Sequence, residues 1–150
     1  MNVKDVMSTT LFCCTPADTI QKAAELMKNN DVGAIPVVND CKERKLLGII
    51  TDRDICIKAV ATGNSNGAMK VSEVMSKATV TCGPDEPLEA CEAKMERNQI
   101  RRVPVVDAKG TCIGIVAQAD IALRDTPEHT HHTVAAISQH PTQSQSPAHA

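Results

Sequence analysis

The chain has 150 residues, 42% of them hydrophobic, and a net charge of −2. That is enough apolar material for a core, so wholesale disorder is excluded, and the scattered charges offer no basic field for nucleic acid. One Phe and no Trp or Tyr argue against single-strand binding by ring stacking, and no apolar run approaches the roughly 20 residues of a membrane helix.

The opening "MNVKDVMSTT" has no apolar signal core, so a cytoplasmic location is expected. "LFCCT" (11–15) reads as a short apolar strand. Thr15 and Asp18 can cap a helix whose apolar face is Ile20, Ala23, Ala24 and Met27. "AIPVV" (34–38) is a second strand, and Pro36 within it implies an edge or a bulge, since proline cannot donate to a ladder. "KLLGIIT" (45–51) is a third strand. A second helix starts near Asp52 and is expected to carry Ile55, Cys56, Ala59 and Val60 inward. "TGNSNGAMK" (62–70) is a turn-rich linker.

The pattern then repeats. "VKDVMS" (3–8) returns as "VSEVMS" (71–76), and at the same interval Cys14 meets Cys82, Pro16 meets Pro84, Met27 meets Met95, and "IPVV" (35–38) meets "VPVV" (103–106). Beyond that point the interval shortens by the difference between the loops "NDCKERK" and "DAKGT", and "GIITDRDI" (48–55) meets "GIVAQADI" (114–121). Leu88, Cys91 and Met95 line the first helix of the second copy. Each unit is too small to bury its own apolar face well, so the copies should pack on each other. After Arg124, Thr126 as cap and Pro127 at the first position predict one more helix, and "QHPTQSQSPAHA" (139–150) predicts a disordered tail.

Seven cysteines are an odd number and form no C-x-x-C pair, so a disulfide framework or zinc ribbon is not expected; buried thiols in a reducing compartment are. Vicinal Cys13 and Cys14 point to opposite faces of an extended segment, which weakens, without removing, an oxidant-sensing role. His129, His131 and His132 cluster near the end, but no further metal ligand accompanies them, and a solvated tail is the simpler reading. Nothing pairs a nucleophile with a base, so no enzyme is expected.

Thr51 and Asp54 have the spacing of a capping box at a strand-to-helix turn, worth about 1 kcal/mol. The same geometry suits a ligand. A helix start attracts phosphate, and an ionised Asp can accept from two vicinal ribose hydroxyls at once. Asp120 is kept in the second copy although Ala117 replaces the threonine, which favours a ligand role and unequal sites.

"VxxVMS" twice, "GAIPVV" with "RRVPVV", and "GIITDRDI" with "GIVAQADI" together resemble a tandem pair of CBS (cystathionine β-synthase) domains, a Bateman module, from about Val3 to Leu123. The resemblance implies a mixed α/β (α+β) fold of two β-α-β-β-α repeats packed with pseudo-two-fold symmetry. Domain one would span 1–62, a linker 63–70, domain two 71–126, and the helix and tail 127–150. It implies clefts between the copies that take an adenosine-containing nucleotide such as AMP, ADP or ATP as a regulatory ligand, with no cofactor required. Asp54 and Asp120 would hold ribose, with Thr51 in support; Arg53, Arg101 and Arg102 would face phosphates. Phe12, Val32 and Ile35 in copy one, and Val80, Ile100 and Val103 in copy two, match adenine-facing positions. A homodimer acting on an unknown effector protein is also implied, with no nucleic acid or membrane partner. A ligand-free homodimeric interaction module and a thiol redox sensor are the competing readings.

Overall fold

The computed structural model describes residues 1–64, 66–77, 80–124 and 127–138, with the backbone alone for 127–132. In chain order the elements are α1 (Val3–Val6), α2 (Ile20–Asn30), β1 (Ala34–Val38), β2 (Leu46–Thr51), α3 (Asp52–Lys58), α4 (Val71–Val74), β3 (Ser76–Lys77), α5 (Leu88–Asn98), β4 (Arg102–Val106), β5 (Cys112–Ala117), α6 (Gln118–Arg124) and α7 (Pro127–Ser138). The mixed helix-and-strand repeat expected from the sequence is present.

In the first copy β1 pairs antiparallel with β2, and β2 with β3. In the second, β4 pairs antiparallel with β5. The outer edges of β1 and β4 are each touched by one cysteine: Cys14 bridges Val37 and Cys82 bridges Val105, both parallel. The expected strand "LFCCT" is therefore reduced to one bridging residue. Cys14 N donates to Pro36 O and Val38 N donates to Cys14 O, while Pro36 has no N–H to give. β1 also shifts register between Val37 and Val38, in line with the bulge that Pro36 implied.

The opposite edges are exchanged between copies. Ser8, from the start of copy one, bridges Ile115 on β5 of copy two, and Ser76, from the start of copy two, pairs with Ile49 on β2 of copy one. The helical turns follow. Val3 and Val6 of α1 are 0% and 3% exposed within the core built by Cys82, Leu88, Cys91, Met95, Val103, Val105 and Val116. Val71 and Val74 of α4 lie in the core of Cys14, Ile20, Ala23, Met27, Ile35, Val37 and Ile50. Each buried valine contributes about 1.5–3 kcal/mol, so four of them make this exchange a main tie between the halves.

Three local expectations are corrected. The cap of α2 is Thr19, whose Oγ1 accepts from Lys22 N at 3.2 Å; Asp18 instead closes the preceding turn by accepting from Thr15 N at 2.8 Å. Cys56 and Val60 are exposed, because short α3 offers one stripe only, Ile55 and Ala59, before the chain turns into a 3-10 turn at Val60–Thr62. And Cys13 is joined to Cys41 by a disulfide, Cα–Cα 6.2 Å. Cysteine spacing could not show this pair, since the loop after β1 folds back on the segment that precedes Cys14. Cys14 itself is buried, which pushes its thiol up to about 12.

The predicted C-terminal helix is α7; Thr126, the side chains of His129, His131 and His132, and the tail 139–150 lie outside the described residues. Helix α7 packs on α5 and α6 of copy two, burying Thr133 and Ile137, and Gln99 Nε2 donates to Ala136 O at 2.8 Å. Among the described residues no helix is long and apolar enough to cross a membrane.

Asp18 makes the fold sensitive to acid. Burial opposes its ionisation, but the Thr15 N–H and the Lys22 ammonium at 3.2 Å outweigh that and hold its carboxyl below the ordinary 3.8. Its stabilisation is therefore complete above the unfolded value and lost as pH falls through the lower, folded one. Asp18→Asn should lower stability at neutral pH and flatten the fall below about pH 4, read from urea midpoints taken along an acid series.

Candidate functional site

Two clefts open between the copies, and the repeat relates many of their lining residues, among them Ile49 with Ile115, Asp54 with Asp120 and Ser76 with Ser8. The first, of about 580 Å³, is lined by Ile49, Thr51, Asp52, Arg53, Asp54 and Ser76 together with Gln99, Ile100, Arg101, Arg102 and Ile137. The second, of about 280 Å³, is lined by Ile115, Ala117, Asp120 and Ser8 together with Thr10, Leu11, Phe12, Asp31, Val32, Gly33, Ala34, Pro36 and Arg102. The larger falls within the usual range of small-molecule sites, and the smaller lies near its lower limit. Each cleft thus sets a helix-start carboxylate of one copy against an apolar wall of the other. Asp54 faces Ile100 of copy two, and Asp120 faces Phe12 and Val32 of copy one.

The acids sit where strand gives way to helix. In copy one, Thr51 Oγ1 accepts from Asp54 N at 3.1 Å and Asp54 Oδ2 accepts from Thr51 N at 3.1 Å, a complete capping box at the start of α3. Asp54 Oδ1 is also 3.3 Å from Lys58 Nζ. In copy two, Asp120 Oδ2 accepts from Ala117 N at 2.8 Å, so half of the box survives without the threonine. Capping therefore accounts for Asp120 as well as it does for Asp54. Arg124, the repeat mate of Lys58, donates to Asp5 O at 2.6 Å instead. The outer oxygen of Asp120 is left without a partner among the described residues.

Thr51, Arg53, Asp54, Ile100, Arg101 and Arg102 meet in the Asp54 cleft; Phe12, Val32, Arg102 and Asp120 meet in the other. Ile35 and Val103 do not join them: both are 0% exposed within the two cores, because they sit mid-strand facing inward. Val80 is half-buried against the second core and lines neither cleft among the described residues. The sequence reading missed Gln99 and Asp31, repeat mates that end α5 and α2 in left-handed conformation, at φ 53° and 51°. Their alignment in the repeat was the available signal. It also missed Ile137, which α7 brings to the Asp54 cleft and for which the duplication holds no counterpart. Among the described residues, no group of three or more His, Cys, Asp or Glu could hold a metal ion.

Comparison with known proteins matches the CBS domain model to residues 3–60 and again to 71–125. CBS domain-containing protein YhcV of Bacillus subtilis strain 168 is 45% identical over 122 residues, covering 81% of this chain and 84% of its own length. The CBS domain pair of protein MJ0100, solved with 5′-methylthioadenosine and S-adenosyl-L-methionine, superposes with TM-score 0.73 at 32% identity, over 82% of this chain and 94% of that one. CBSX2, solved with AMP, gives TM-score 0.70 at 25% identity, over 81% and 93%.

Proposed function

The chain belongs to the CBS domain family, and from that premise we propose that it is a regulatory module binding an adenosine-containing nucleotide in its two inter-copy clefts. One observation carries the reading: in each cleft a carboxylate at a helix start faces an apolar wall contributed by the other copy, and Arg102 of copy two reaches both clefts. Neither capping nor core packing calls for that convergence. The ligands in MJ0100 and CBSX2 share an adenosine moiety, which fits the same trio of groups.

In this reading Asp54 and Asp120 accept from the ribose hydroxyls, with Thr51 in support. The base lies on Ile100 in one cleft and between Phe12 and Val32 in the other. Arg53, Arg101 and Arg102 face phosphates, where guanidinium forks suit phosphate oxygens. Because each cleft spans both copies, ligand binding would bear on how the copies pack, to the extent that its affinity differs between two packings. The module is non-enzymatic, cytoplasmic and homodimeric, and acts through an effector protein.

With no Trp or Tyr the protein is almost silent at 280 nm, so a 260 nm band in purified material reports co-purified nucleotide. Thermal shifts with AMP, ADP, ATP, NAD(H) and S-adenosylmethionine should raise the melting temperature, by about 2.7 kcal/mol of stabilisation at one hundred times Kd. No shift and no heat of binding with any of them would end the proposal.

The thiol-sensor reading has the Cys13–Cys41 disulfide in its favour. Mass analysis before and after mild reductant, with nucleotide affinity measured in both forms, separates it from the first. The empty interaction module has the exposed Ile57 within α3 and Val60 after it in its favour; a dimer that forms with equal affinity in the presence and absence of every nucleotide would support it.

A further inference from the structure

Arg102 lines both clefts. It opens β4, and its repeat mate at the start of β1 is Ala34, which has no charge. Its guanidinium lies over Gly33, close enough that a Cβ there would meet Nη2 at 2.7 Å. Gly33 itself lines the Asp120 cleft, whereas Ile100 and Arg101, the neighbours of Arg102 in the chain, line the Asp54 cleft. The side chain therefore spans the boundary between the two.

The two clefts do not depend on it equally. The Asp54 cleft also has Arg53 and Arg101. In the Asp120 cleft Arg102 is the one cationic side chain among the described lining residues, set against the carboxylates of Asp31 and Asp120. A phosphate there has no other cation to balance it. One guanidinium fork matches one phosphate bidentately, and two phosphate groups drawn to the same side chain repel each other.

We propose that Arg102 couples the clefts: a phosphate-bearing ligand in the Asp54 cleft takes its guanidinium, and the Asp120 cleft then disfavours phosphates and accepts uncharged nucleosides. The inference rests on the reading of the clefts as adenosine sites. By linkage the penalty is reciprocal, so nucleotide in the Asp120 cleft weakens nucleotide in the other by the same factor. Adenosine, with no phosphate, feels no such penalty.

Calorimetry with AMP and with adenosine tests this on the whole protein, using Asp54→Ala and Asp120→Ala to leave one working cleft each. The weaker AMP step of the wild type should lie at least fivefold below the affinity of the same cleft measured alone. The adenosine isotherm should equal the sum of the two single-cleft variants. Arg102→Gln should make AMP additive as well. Gly33→Ala, whose backbone lies outside the left-handed region, should displace the guanidinium and weaken AMP in the Asp120 cleft. AMP that is already additive in the wild type, AMP steps that reinforce each other, or coupling that survives Arg102→Gln overturns the inference while leaving the sites standing. A single-cleft variant that takes neither ligand also overturns it, with the other cleft still a site. No heat from either ligand in any variant removes the adenosine reading itself.

Discussion

Asp120→Ala is expected to weaken an adenosine ligand in its cleft at least tenfold while lowering the melting temperature by only about 2–4 °C. The two effects arise from different oxygens. Oδ2 accepts from Ala117 N at 2.8 Å and caps α6, a contact of about 1 kcal/mol, which in a domain of this size is a shift of a few degrees. The other oxygen has no partner among the described residues of a cleft that Asp120 lines, and a hydrogen bond from a ribose hydroxyl to a carboxylate is worth about 1.5–3 kcal/mol. Asp120→Asn sharpens the test, because the amide oxygen still caps the helix but the charge is gone. Asp54→Ala should show the same loss in its own cleft and a slightly larger drop in stability, since besides the matching contact to Thr51 N it loses the 3.3 Å contact to Lys58. Calorimetry and thermal melts on the same samples give both numbers. A fall in melting temperature with unchanged affinity would reduce both aspartates to helix caps.

The largest stability effect belongs to a glycine. Gly48→Ala places a Cβ 2.5 Å from Ser76 O, a backbone atom held by the pairing of β2 with β3. At its repeat mate, Gly114→Ala, the nearest atom is Met7 Sδ at 2.6 Å, and Ser8 O is 3.1 Å away. A thioether end can swing aside; a paired carbonyl cannot without breaking its ladder. Neither glycine has left-handed backbone, so the cost is one of space alone. We expect about 3 kcal/mol for Gly48→Ala and about 1 kcal/mol for Gly114→Ala, as overpacking of a tight contact predicts. Equal losses in the two variants would show that the Ser76 crossing yields as easily as the methionine does.

That contrast shows where the duplicated sequence misleads. Gly48 and Gly114 occupy the same place in the same motif, so each must admit a crossing chain. The repeat supplies the same pair to cross each, Met75–Ser76 and Met7–Ser8, but how closely its backbone approaches is decided by the fold. The same holds for Thr51 and Ala117: the hydroxyl is missing from copy two, yet Asp120 keeps its hydrogen bond to the backbone. Its presence therefore said less about a ligand than the sequence suggested, and the meeting with Phe12 and Val32 in one cleft says more.

Elements whose cause lies within a few residues could be read directly. Helix periodicity gave the buried face Ile20, Ala23 and Met27 of α2, and Leu88, Cys91 and Met95 of α5. Thr51 with Asp54 marked the start of α3, and Pro127 the start of α7. The misses were of two kinds. Cys56 and Val60 were assigned inward by extending the helix pattern past the point where α3 gives way to a 3-10 turn. Ile35 and Val103 were assigned to a ligand wall, although a strand alternates its faces and theirs is the core.

The sequence by itself determined the duplication, the family and the order of helices and strands, because caps, periodicity and turn residues act over one or two turns of chain. Only the tertiary structure decided that α1 packs into copy two and α4 into copy one, that each acid faces the other copy's wall, that Cys13 meets Cys41, and that one arginine serves two clefts. Those choices follow from burying two half-sized cores at once, a free-energy balance over the whole chain to which no short stretch holds the answer.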